Sequence, residues 1–328
     1  MPSWRLVCPK CGWEGASEEY YHKCPRCGSP LRVAGSIPRP PRPILGEGST
    51  PYVTIGGVGY KLEYLNPTGS FKDRGSSLSV WLADRLGYKC VVEDSSGNTG
   101  VSVAAYAARL GLKARIHVPA SASSGKIGLL HLLGAEVVLH GSRLEAAHAA
   151  ESEAGDCFYV AHSYSPIFVE GISSLAGELL EAGARGPVIV PASSGTLLLG
   201  LAWGFERAGA GIDLIAVQSP EAASLRGRTP LLASVGGGSG RLLDALVLAN
   251  PPRLDEMAAK ARGLVIIGDE AALEALRKLA RMGFIVEPSS ATVYAALEAL
   301  GLREATLVLT GSGLKYAEAL AKWLRGQG

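Results

Sequence analysis

Hydrophobic residues between about positions 86 and 140 alternate between two spacings. Short runs rich in β-branched residues (KCVVE, ARIHV and EVVLH) are separated by SVAAYAARLG and GKIGLLHLLG, in which apolar residues recur at helical intervals. Strand-like runs that alternate with amphipathic helices are typical of βαβ units, whose crossover connections give a parallel sheet. We therefore predict a parallel α/β sheet for this part of the chain.

A second alternating series begins near position 157. Its predicted strands are CFYVA, PVIVPA, DLIAVQ, LVIIG and TLVLTG, and its predicted helices span 170–183, 196–208, 269–282 and 290–300. Glycines stand near the ends of several amphipathic runs, where a left-handed residue commonly closes a helix. These are Gly87, Gly111, Gly134 and Gly183. The pattern predicts the α/β fold class with two sheets.

The composition favours small-molecule chemistry over nucleic-acid or membrane binding. The chain has 328 residues, 47% of them hydrophobic, and its 32 basic and 30 acidic residues nearly balance. It therefore lacks the broad charged surface that nucleic acid or an anionic membrane attracts. No apolar run reaches the roughly 18 residues that cross a bilayer, and the N-terminus MPSWRLVCPK lacks a signal-peptide core. We expect a cytoplasmic protein, and its three Asn and two Gln, a depletion of thermolabile amides, predict a thermophilic source.

Four of the six cysteines form two Cys-x2-Cys pairs, each followed by glycine. This spacing predicts a tetrahedral four-thiolate zinc site, which leaves no open position for water and is therefore structural. Two disulfides are the alternative, but an intracellular chain keeps such thiols reduced. We interpret Cys90 and Cys157, at the edges of apolar runs, as small core residues. The predicted zinc ligands are Cys8, Cys11, Cys24 and Cys27.

A proline-rich stretch separates these cysteines from the α/β pattern. Residues 36–43, SIPRPPRP, contain four prolines and show neither a helical nor a strand pattern, as expected of a stiff linker. We place a zinc ribbon at 1–35, the linker at 36–45 and a catalytic region at 46–328.

Lys72 lies in a loop of Asn, Pro, Thr, Gly and Ser immediately before a run with helical spacing. The positive end of a helix dipole disfavours the protonated amine, which favours a nucleophilic lysine. On position alone, a solvated surface lysine is the simpler interpretation. Ligands gather at the carboxyl ends of strands in open α/β sheets, and four loops of unusual composition are expected there. They are NPTGSFKDRG (66–75), SSGNTG (95–100), PASSGTL (191–197) and LTGSGLK (309–315).

Five strings of the sequence, in this order and spacing, carry a family resemblance. They are GEGSTP (46–51), NPTGSFKDRG (66–75), SSGNTG (95–100), EPSSA (287–291) and TGSGLK (310–315). Together they resemble the threonine-synthase branch of the fold-type II (tryptophan-synthase-β-like) pyridoxal-phosphate (PLP) enzymes, over about residues 44–328. The resemblance implies a smaller α/β lobe at about 76–168 and a larger lobe from 46–75 plus 169–328. Many members of this branch also carry an N-terminal zinc ribbon.

The resemblance also implies roles for single residues. Lys72 becomes the Schiff-base lysine and the acid/base at the substrate Cα and Cβ, with Phe71 beside it in the pocket wall. Asn98 is expected to bind the phenolic oxygen of PLP. The substrate carboxylate is expected at the start of the helix that follows, a position that suits an anion. Its expected ligands are Ser96, Asn98 and Thr99.

Two further loops are expected to hold the cofactor. The loop at 193–196 ends an apolar strand and opens an apolar helix, so its amides and hydroxyls can hold the cofactor phosphate without a cation. Related enzymes have a GNxGN-like string at the place of Ser193, Ser194, Gly195 and Thr196. Thr310 is expected to face the pyridine nitrogen, and a hydroxyl there moderates electron withdrawal by the ring.

The expected substrate segment departs from the family pattern. Threonine synthases carry NSxNPxRxxG, whose arginine binds the substrate phosphate, whereas this chain has HSYSPIFVEG (162–171). Phe168 replaces the arginine, and His162 and Ser165 replace the two asparagines. Since Phe cannot bind a dianion, either another cation binds it or the substrate carries no phosphate. Lys61 is the first candidate cation, and the others are Arg74, Arg226, Arg228 and Arg241.

These observations leave three functions open. The first is threonine synthase, which converts O-phosphohomoserine and water to threonine and phosphate. The second is a related PLP lyase or β-replacement enzyme that acts on an unphosphorylated amino acid, as in serine or threonine deamination. The third, a non-catalytic zinc-ribbon module, is disfavoured because Lys72, Asn98 and Thr310 are present. The expected partner is a small amino acid, and a homodimer is expected only by analogy with the family.

Two other features receive structural interpretations. The string GGGSG (236–240) follows no clear predicted strand, so we interpret it as a flexible connector or lid rather than a phosphate loop. Four histidines without ligand spacing are interpreted as structural. They are His117, His131, His140 and His148.

Overall fold

The structure, a computed structural model, describes residues 4–95, 97–122, 124–237 and 242–317. The chain forms two units. The first comprises Met1–Gly48 and Lys72–Ser174, and the second comprises Ser49–Phe71 and Leu175–Gly328. The first unit therefore contains the cysteine-rich segment as well as Lys72.

The regular elements follow the chain in an alternating order. The strands are β1 (Trp4–Val7), β2 (Arg32–Gly35), β3 (Tyr52–Ile55), β4 (Val58–Lys61), β5 (Cys90–Glu93), β6 (Lys113–Pro119), β7 (Glu136–His140), β8 (Phe158–Tyr159), β9 (Val188–Pro191), β10 (Leu214–Gln218), β11 (Leu231–Val235), β12 (Gly263–Ile267) and β13 (Ala305–Val308). The helices are α1 (Lys72–Arg85), α2 (Asn98–Leu110), α3 (Ser124–Leu132), α4 (Arg143–Ser152), α5 (Pro166–Ile172), α6 (Ser174–Glu181), α7 (Thr196–Arg207), α8 (Leu254–Lys260), α9 (Asp269–Arg281) and α10 (Pro288–Ala299). Within the described ranges, none of these helices has the length and apolar content needed to traverse a bilayer.

The first unit contains a four-stranded parallel sheet in the order β7-β6-β5-β8. Val92 of β5 lies opposite Tyr159 of β8, so the carboxyl ends of these strands are neighbours. The short antiparallel pair β1/β2 also belongs to this unit. Its buried Trp4 and Leu6 pack in one apolar cluster with Leu78 of α1 and Ile167 of α5.

The second unit contains a seven-stranded sheet in the order β11-β12-β10-β9-β13-β4-β3. Neighbouring strands are parallel except for β3 and β4, which form an antiparallel hairpin at one edge. Val265 of β12 and Leu307 of β13 belong to a buried cluster with Leu276 of α9 and Val293 of α10. The predicted α/β class with two parallel sheets is confirmed.

Three of the elements that were not predicted from the sequence are α4, β11 and α8. Helix α4 is rich in Ala and Glu and lacks an apolar stripe, although Ser142 caps it by accepting a hydrogen bond from Glu145 N at 3.1 Å. Strand β11 is an edge strand with most of its residues exposed, so it carries no alternating pattern. Helix α8 has only seven residues. Weak or short periodicity explains all three omissions.

The helix predicted at 170–183 is instead two helices, α5 and α6. Helix α5 starts earlier because Pro166 occupies its first turn and the Ser165 hydroxyl accepts a hydrogen bond from Phe168 N at 3.4 Å. The hydroxyls of Ser173 and Ser174 donate to backbone carbonyls one turn back, at the point where α5 ends. Such local bonds compete with the helical pattern and explain the break.

Cys157 is a buried core residue with Cys90 packed against the same cluster, as interpreted from the sequence, but the structure also joins the two in a disulfide that was not predicted. Cys90 begins β5, and Cys157 immediately precedes β8. The parallel pairing of these strands brings the two Cα atoms to 4.9 Å, within the range that a disulfide requires. This neighbour relation depends on strand register, which the separation of 67 residues along the sequence hides.

The proline-rich stretch at 36–43 has no helix or strand, in agreement with its sequence. It is anchored nevertheless. The Arg39 guanidinium donates to the backbone carbonyl of Glu170 at 2.9 Å and to its carboxylate at 3.0 Å. It also donates to the Ser173 hydroxyl at 3.3 Å. One arginine therefore attaches this stretch to α5.

Candidate active site

Lys72 is the first residue of α1, and it is followed by the fully buried Asp73. The Ser102 hydroxyl of α2 donates a hydrogen bond to Asp73 Oδ1 at 2.6 Å. In the same first turn, a Cβ added to Gly75 would lie only 2.5 Å from the Phe168 ring. The turn that carries Lys72 is therefore held by a hydrogen bond and by close packing.

The start of the GEGSTP string also supports this helix, through Glu47. Its carboxylate accepts hydrogen bonds from the amides of Ile44 and Leu45 at 3.0 and 2.9 Å. It accepts two more, from the Ser77 hydroxyl of α1 and from the Tyr106 hydroxyl of α2 at 3.1 Å. A single carboxylate thus links α1, α2 and the chain that precedes the second unit.

The SSGNTG loop leads directly into α2, whose first residue is Asn98. A Cβ added to Gly100 would collide with the backbone oxygen of Ser95, so only glycine allows the loop to approach this closely. Thr99 is buried, with 2% of its surface exposed. Ser96, the other predicted substrate ligand, lies outside the described residues.

A buried pair that the sequence did not predict lies in the same unit as Lys72. Glu93 ends β5 and is fully buried. His162 Nδ1 lies 2.6 Å from Glu93 Oε1, and the His162 backbone amide donates to the other carboxylate oxygen at 3.4 Å. The remaining ring nitrogen, Nε2, lies 3.2 Å from the Ser163 hydroxyl. A charged residue at the end of an apolar strand was the only signal for this pair in the sequence.

Phe168 lies near both Lys72 and this pair. The Lys72 Nζ atom is 5.6 Å from the centre of the Phe168 ring. The His162 ring meets the Phe168 ring edge-on, with 5.9 Å between centroids. Phe168 is fully buried. The place where the family pattern has a phosphate-binding arginine is therefore occupied by an aromatic ring between a lysine and a histidine.

The surroundings shift the protonation of the pair. Burial raises the pKa of Glu93 to about 7 and the pKa of Asp94 to about 6. Burial, followed by the positive charge of Lys72, lowers the pKa of His162 to about 3. Near pH 7, therefore, the imidazole is neutral and the Glu93 carboxyl exchanges a proton.

In the second unit, the loop at 193–196 connects β9 to α7. Gly195 has a φ of 82°, and an added Cβ would collide with Met257. The hydroxyls of Ser194 and Thr196 are buried and lie 3.3 Å apart. The Ser193 hydroxyl accepts a hydrogen bond from Leu248 N at 3.2 Å. This loop opens a twelve-residue helix whose first amides have no acceptor within the helix.

Thr310 follows β13 and is fixed by its backbone. Its amide donates to the Ser290 hydroxyl at 2.8 Å, and its carbonyl accepts a hydrogen bond from Phe71 N at 3.0 Å. The Lys315 amine donates to the carbonyl of Thr68 at 3.1 Å. The two most specific strings of the sequence, NPTGSFKDRG and TGSGLK, are therefore bonded to each other within the second unit.

The structure gives Lys61 a different partner from the predicted substrate phosphate. Its side chain is 2% exposed, and its amine donates to the Thr50 carbonyl at 2.5 Å and pairs at 2.6 Å with the carboxylate of Glu178, whose side chain is 20% exposed. A charge that is already neutralised in a buried pair cannot serve a second anion without breaking the pair. We therefore withdraw Lys61 as a phosphate ligand.

Two further candidate cations also have partners. Arg74 is buried and donates to the Ser174 hydroxyl at 3.1 Å, and Arg228 pairs with Asp255 at 2.7 Å. Arg241 lies outside the described residues, as does most of the GGGSG string. Arg74 and Arg228 are therefore already bound to protein groups.

The four N-terminal cysteines converge, with all of their sulfur atoms within 4.8 Å of one another. Cys8 and Cys27 are 3.6 Å apart, and Cys11 and Cys24 are 3.7 Å apart. Each pair closes a turn through a glycine with a φ of 70°, as the sequence predicts. Within the described ranges this is a donor set with the number and spacing of a four-thiolate metal site.

Comparison with known proteins agrees with the predicted fold and family. The family described as "Pyridoxal-phosphate dependent enzyme" matches residues 44–313. A threonine synthase of Synechocystis sp. is 30% identical over 340 residues, covering 96% of this chain and 87% of the relative. A threonine synthase of Halalkalibacterium halodurans is 28% identical and covers 92% of this chain and 90% of that relative. Maize serine racemase has the same fold, with a TM-score of 0.69 and 23% identity over 84% of this chain and 93% of that structure.

The matched region contains Lys72, the loop at 193–196 and Thr310, and it includes most of both units. The chain belongs to the pyridoxal-phosphate-dependent enzyme family, as a threonine-synthase-like member with the fold of type II PLP enzymes.

Proposed function

We propose that this chain is a threonine synthase, which converts O-phosphohomoserine and water to threonine and phosphate. The observation that carries the proposal is the similarity to threonine synthases along 96% of the chain, which includes the Lys72 motif. The similarity to solved structures supports the fold and leaves the substrate open. The assignment of the reaction therefore rests on the relatives and on the residues around Lys72.

The residues of the second unit suit the phosphate of PLP. Gly195 provides a left-handed turn that no other residue fits, because a Cβ would strike Met257. Such a turn directs successive amides at one point, where α7 adds the positive end of its dipole. The proposed phosphate ligands are Ser193, Ser194, Gly195 and Thr196. Thr310, whose backbone is fixed on both sides, would face the ring nitrogen.

The residues of the first unit suit the reacting end. Lys72 would carry the cofactor covalently through its amine, and Phe71 would line the pocket beside it. Asn98 would bind the phenolic oxygen. Ser96, Asn98 and Thr99 would bind the substrate carboxylate at the start of α2, a thirteen-residue helix whose dipole favours an anion.

PLP, when bound, withdraws electrons from the substrate carbons and so makes their protons acidic. The chain then has to move those protons and hold the substrate in place. Lys72 would take the Cα proton and then a Cβ proton, and would return protons as the phosphate departs from Cγ and water adds at Cβ.

Phe168 favours a second candidate, a lyase or β-replacement enzyme that acts on an unphosphorylated amino acid such as serine or threonine. A phosphate dianion needs charge-assisted hydrogen bonds, each contributing about 1.5–3 kcal/mol, and an aromatic ring supplies none. The buried Glu93 carboxyl behind His162 adds to the unfavourable surroundings for a dianion.

A parallel assay separates the two candidates. Purified protein loaded with PLP is incubated with O-phosphohomoserine, L-threonine or L-serine, while phosphate, threonine and 2-oxoacids are measured. Equal amounts of phosphate and threonine from O-phosphohomoserine support threonine synthase. 2-Oxoacid from serine or threonine, without threonine from O-phosphohomoserine, rejects it and supports the second candidate. Lys72→Ala is the negative control for every substrate.

We also propose that Cys8, Cys11, Cys24 and Cys27 hold one structural zinc ion. The support is the convergence of four sulfurs at the end of two similar turns. Metal analysis of protein purified without chelator is expected to give one zinc per chain and none in a Cys8→Ser/Cys24→Ser double variant. Full occupancy in that variant, or none in the wild type, contradicts the proposal.

A further inference from the structure

Glu93 and His162 are brought together by an unusual backbone conformation. Ala161, which follows β8 and precedes His162, has a φ of 46°, a left-handed conformation that is rare for a residue with a Cβ. The amides of Tyr164 and Ser165 both donate to the Ala161 carbonyl at 2.8 Å and stabilise this turn. Strained residues of this kind cluster at functional sites. The turn directs His162 at the last residue of the neighbouring strand.

The resulting pair adjoins Lys72 through Phe168. The Phe168 ring is 5.6 Å from the Lys72 amine and 5.9 Å from the His162 ring. Burial is the main influence on both members of the pair, and the charge of Lys72 also acts on both: it offsets part of the rise in the pKa of Glu93 and adds to the fall in the pKa of His162. The pair thus lies beside the lysine that the proposed function makes catalytic.

We propose that Glu93 and His162 form a proton-transfer pair for the proposed reaction, in which His162 Nε2 exchanges a proton with the substrate or water and Glu93 is the positioning residue behind it. This inference rests on the proposed function for its substrate, but it concerns residues to which the resemblance assigns no role in proton transfer.

The proton transfer can be written without charging the imidazole. When water adds at Cβ, its oxygen forms the new C–O bond and one O–H bond breaks. The released proton binds Nε2 while the proton on Nδ1 passes across the 2.6 Å hydrogen bond to Glu93. The carboxyl then returns this proton to Nδ1 as Nε2 releases its own to solvent or phosphate, which restores the starting tautomer. When a hydroxyl leaves instead, the same steps run backwards and the hydroxyl departs as water. A carboxyl whose pKa is about 7 suits both directions near neutral pH.

A second histidine–glutamate pair in the same unit provides a contrast. His117 Nε2 lies 3.1 Å from Glu153, but its Nδ1 faces His140 Nε2 at 2.9 Å. Glu153 also accepts a hydrogen bond from Arg115 at 2.9 Å. Both ring nitrogens of His117 thus face ionisable side chains, whereas Nε2 of His162 faces only the Ser163 hydroxyl, and an arginine neutralises Glu153. This pair is structural and supplies matched control variants.

Several ionisable groups face the proposed pair and contribute to its pH dependence. Asp94, whose carboxylate accepts a hydrogen bond from the Tyr159 hydroxyl at 3.0 Å, also acts on His162. Among the described residues, the ionisable groups that interact electrostatically with Glu93 or His162 include Lys72, Asp94, Tyr159 and Tyr20.

The test compares His162→Asn and Glu93→Gln with His117→Gln and Glu153→Gln in the PLP-loaded protein. Two rates are measured: turnover of the substrate that the wild type accepts, and exchange of the substrate Cα proton with D2O by NMR. General acid–base catalysis contributes about 10²–10⁴-fold, so we expect each of the first two variants to lose about 100-fold in turnover. Cα exchange, which Lys72 performs, should stay within about threefold in the same variants, because the lysine is unchanged. Equal loss of both rates, or no loss of turnover, overturns the proposal.

The pH dependence tests Glu93 separately. Addition of water requires ionised Glu93, so turnover of O-phosphohomoserine should rise as pH increases through about 7. Elimination of a hydroxyl requires protonated Glu93, so turnover of serine or threonine should fall over the same range. This change of turnover around pH 7, whether a rise or a fall, should disappear in Glu93→Gln and persist in Glu153→Gln. If the pH dependence persists in Glu93→Gln, Glu93 is not the group that titrates and the proposal is contradicted.

If the wild type converts none of these substrates, the proposed function fails. The protonation of Glu93 in the Glu93–His162 pair is then tested by infrared spectroscopy. The infrared carboxylic-acid band of Glu93 should then titrate near pH 7 and vanish in Glu93→Gln. A wild type without this band overturns the pair as well.

Discussion

The loop at 193–196 in the second unit and the segment at 162–171 in the first unit both follow a strand and lead into a helix. Both also depart from the pattern of the related enzymes. At 193–196 the cofactor phosphate is expected to be bound by backbone amides. The turn that such binding requires is present, with Gly195 at a φ of 82°. At 162–171 the family pattern has an arginine side chain that binds the substrate phosphate. In this chain the buried Phe168 occupies that position.

The difference shows which departures from the family pattern affect anion binding. A backbone anion site needs a turn and the start of a helix, and many sequences provide these, so the different residues at 193–196 are compatible with the proposed phosphate site. A side-chain cation site depends on one residue type, and no hydrophobic substitute can replace its charge. The departure at 193–196 therefore leaves the cofactor assignment unaffected. The departure at 162–171 puts the substrate assignment in question.

The largest expected effect concerns Lys72. Lys72→Ala should lower turnover by at least about 1000-fold, because the variant lacks the amine that we propose to carry the cofactor and to move protons. The steady-state rate with the preferred substrate is the measurement. The exposed Lys89→Ala is the control and should retain wild-type activity. A Lys72→Ala variant within tenfold of the wild type contradicts the catalytic role.

The next effect tests Lys61 as a structural residue. Lys61→Met leaves Glu178 without its charged partner and should lower the free energy of unfolding by about 3 kcal/mol, the usual cost of breaking a buried pair. Urea denaturation measures this change. Lys278→Met, which breaks an exposed ion pair with Glu298, should change stability little. Unchanged stability with weaker O-phosphohomoserine binding would instead restore Lys61 as a phosphate ligand.

A smaller effect is expected at the cofactor loop. Gly195→Ala should weaken PLP binding by roughly 10–100-fold, because the Cβ would meet Met257 and the residue would occupy a left-handed conformation. Gly209→Ala is the matched control, since Gly209 also has a positive φ of 66° but open space around its Cβ position. Fluorescence titration with PLP measures both. Equal affinity in the two variants argues against a phosphate site at 193–196.

The smallest expected effect is a gain at the substrate segment. Phe168→Arg should improve binding of phosphorylated amino acids by roughly tenfold, the lower end of what one charge-assisted hydrogen bond contributes. Inhibition by O-phosphoserine measures the gain, and Phe168→Leu controls for the loss of the ring. No gain in a folded Phe168→Arg variant means that this position does not face the substrate.

The sequence predicted those features that depend on local pattern. Helices such as α9 and α10 were found within about two residues, because apolar residues repeat at helical spacing and glycine or proline marks their ends. The sheets followed from the alternation of strands and helices. The family resemblance, which rests on the strings around Lys72 and Thr310, was confirmed by the comparison with known enzymes.

The features that were missed depend on strand register or on distant partners. The Cys90–Cys157 disulfide and the Glu93–His162 pair both arise because β5 and β8 lie side by side. Lys61 appeared available in the sequence because its partner, Glu178, is 117 residues away. The spacing of residues along one sequence does not show which distant residues the fold brings together.

The central claim, that Lys72 carries the cofactor, can be tested most directly by chemical trapping. The PLP-loaded protein is reduced with borohydride, digested and examined by mass spectrometry for the pyridoxyl-phosphate mass on a lysine. The account predicts that the label lies on Lys72, in the peptide that contains NPTGSFKDRG. A label found only on another lysine, or no label in a protein that retains its PLP absorbance before reduction, would contradict it.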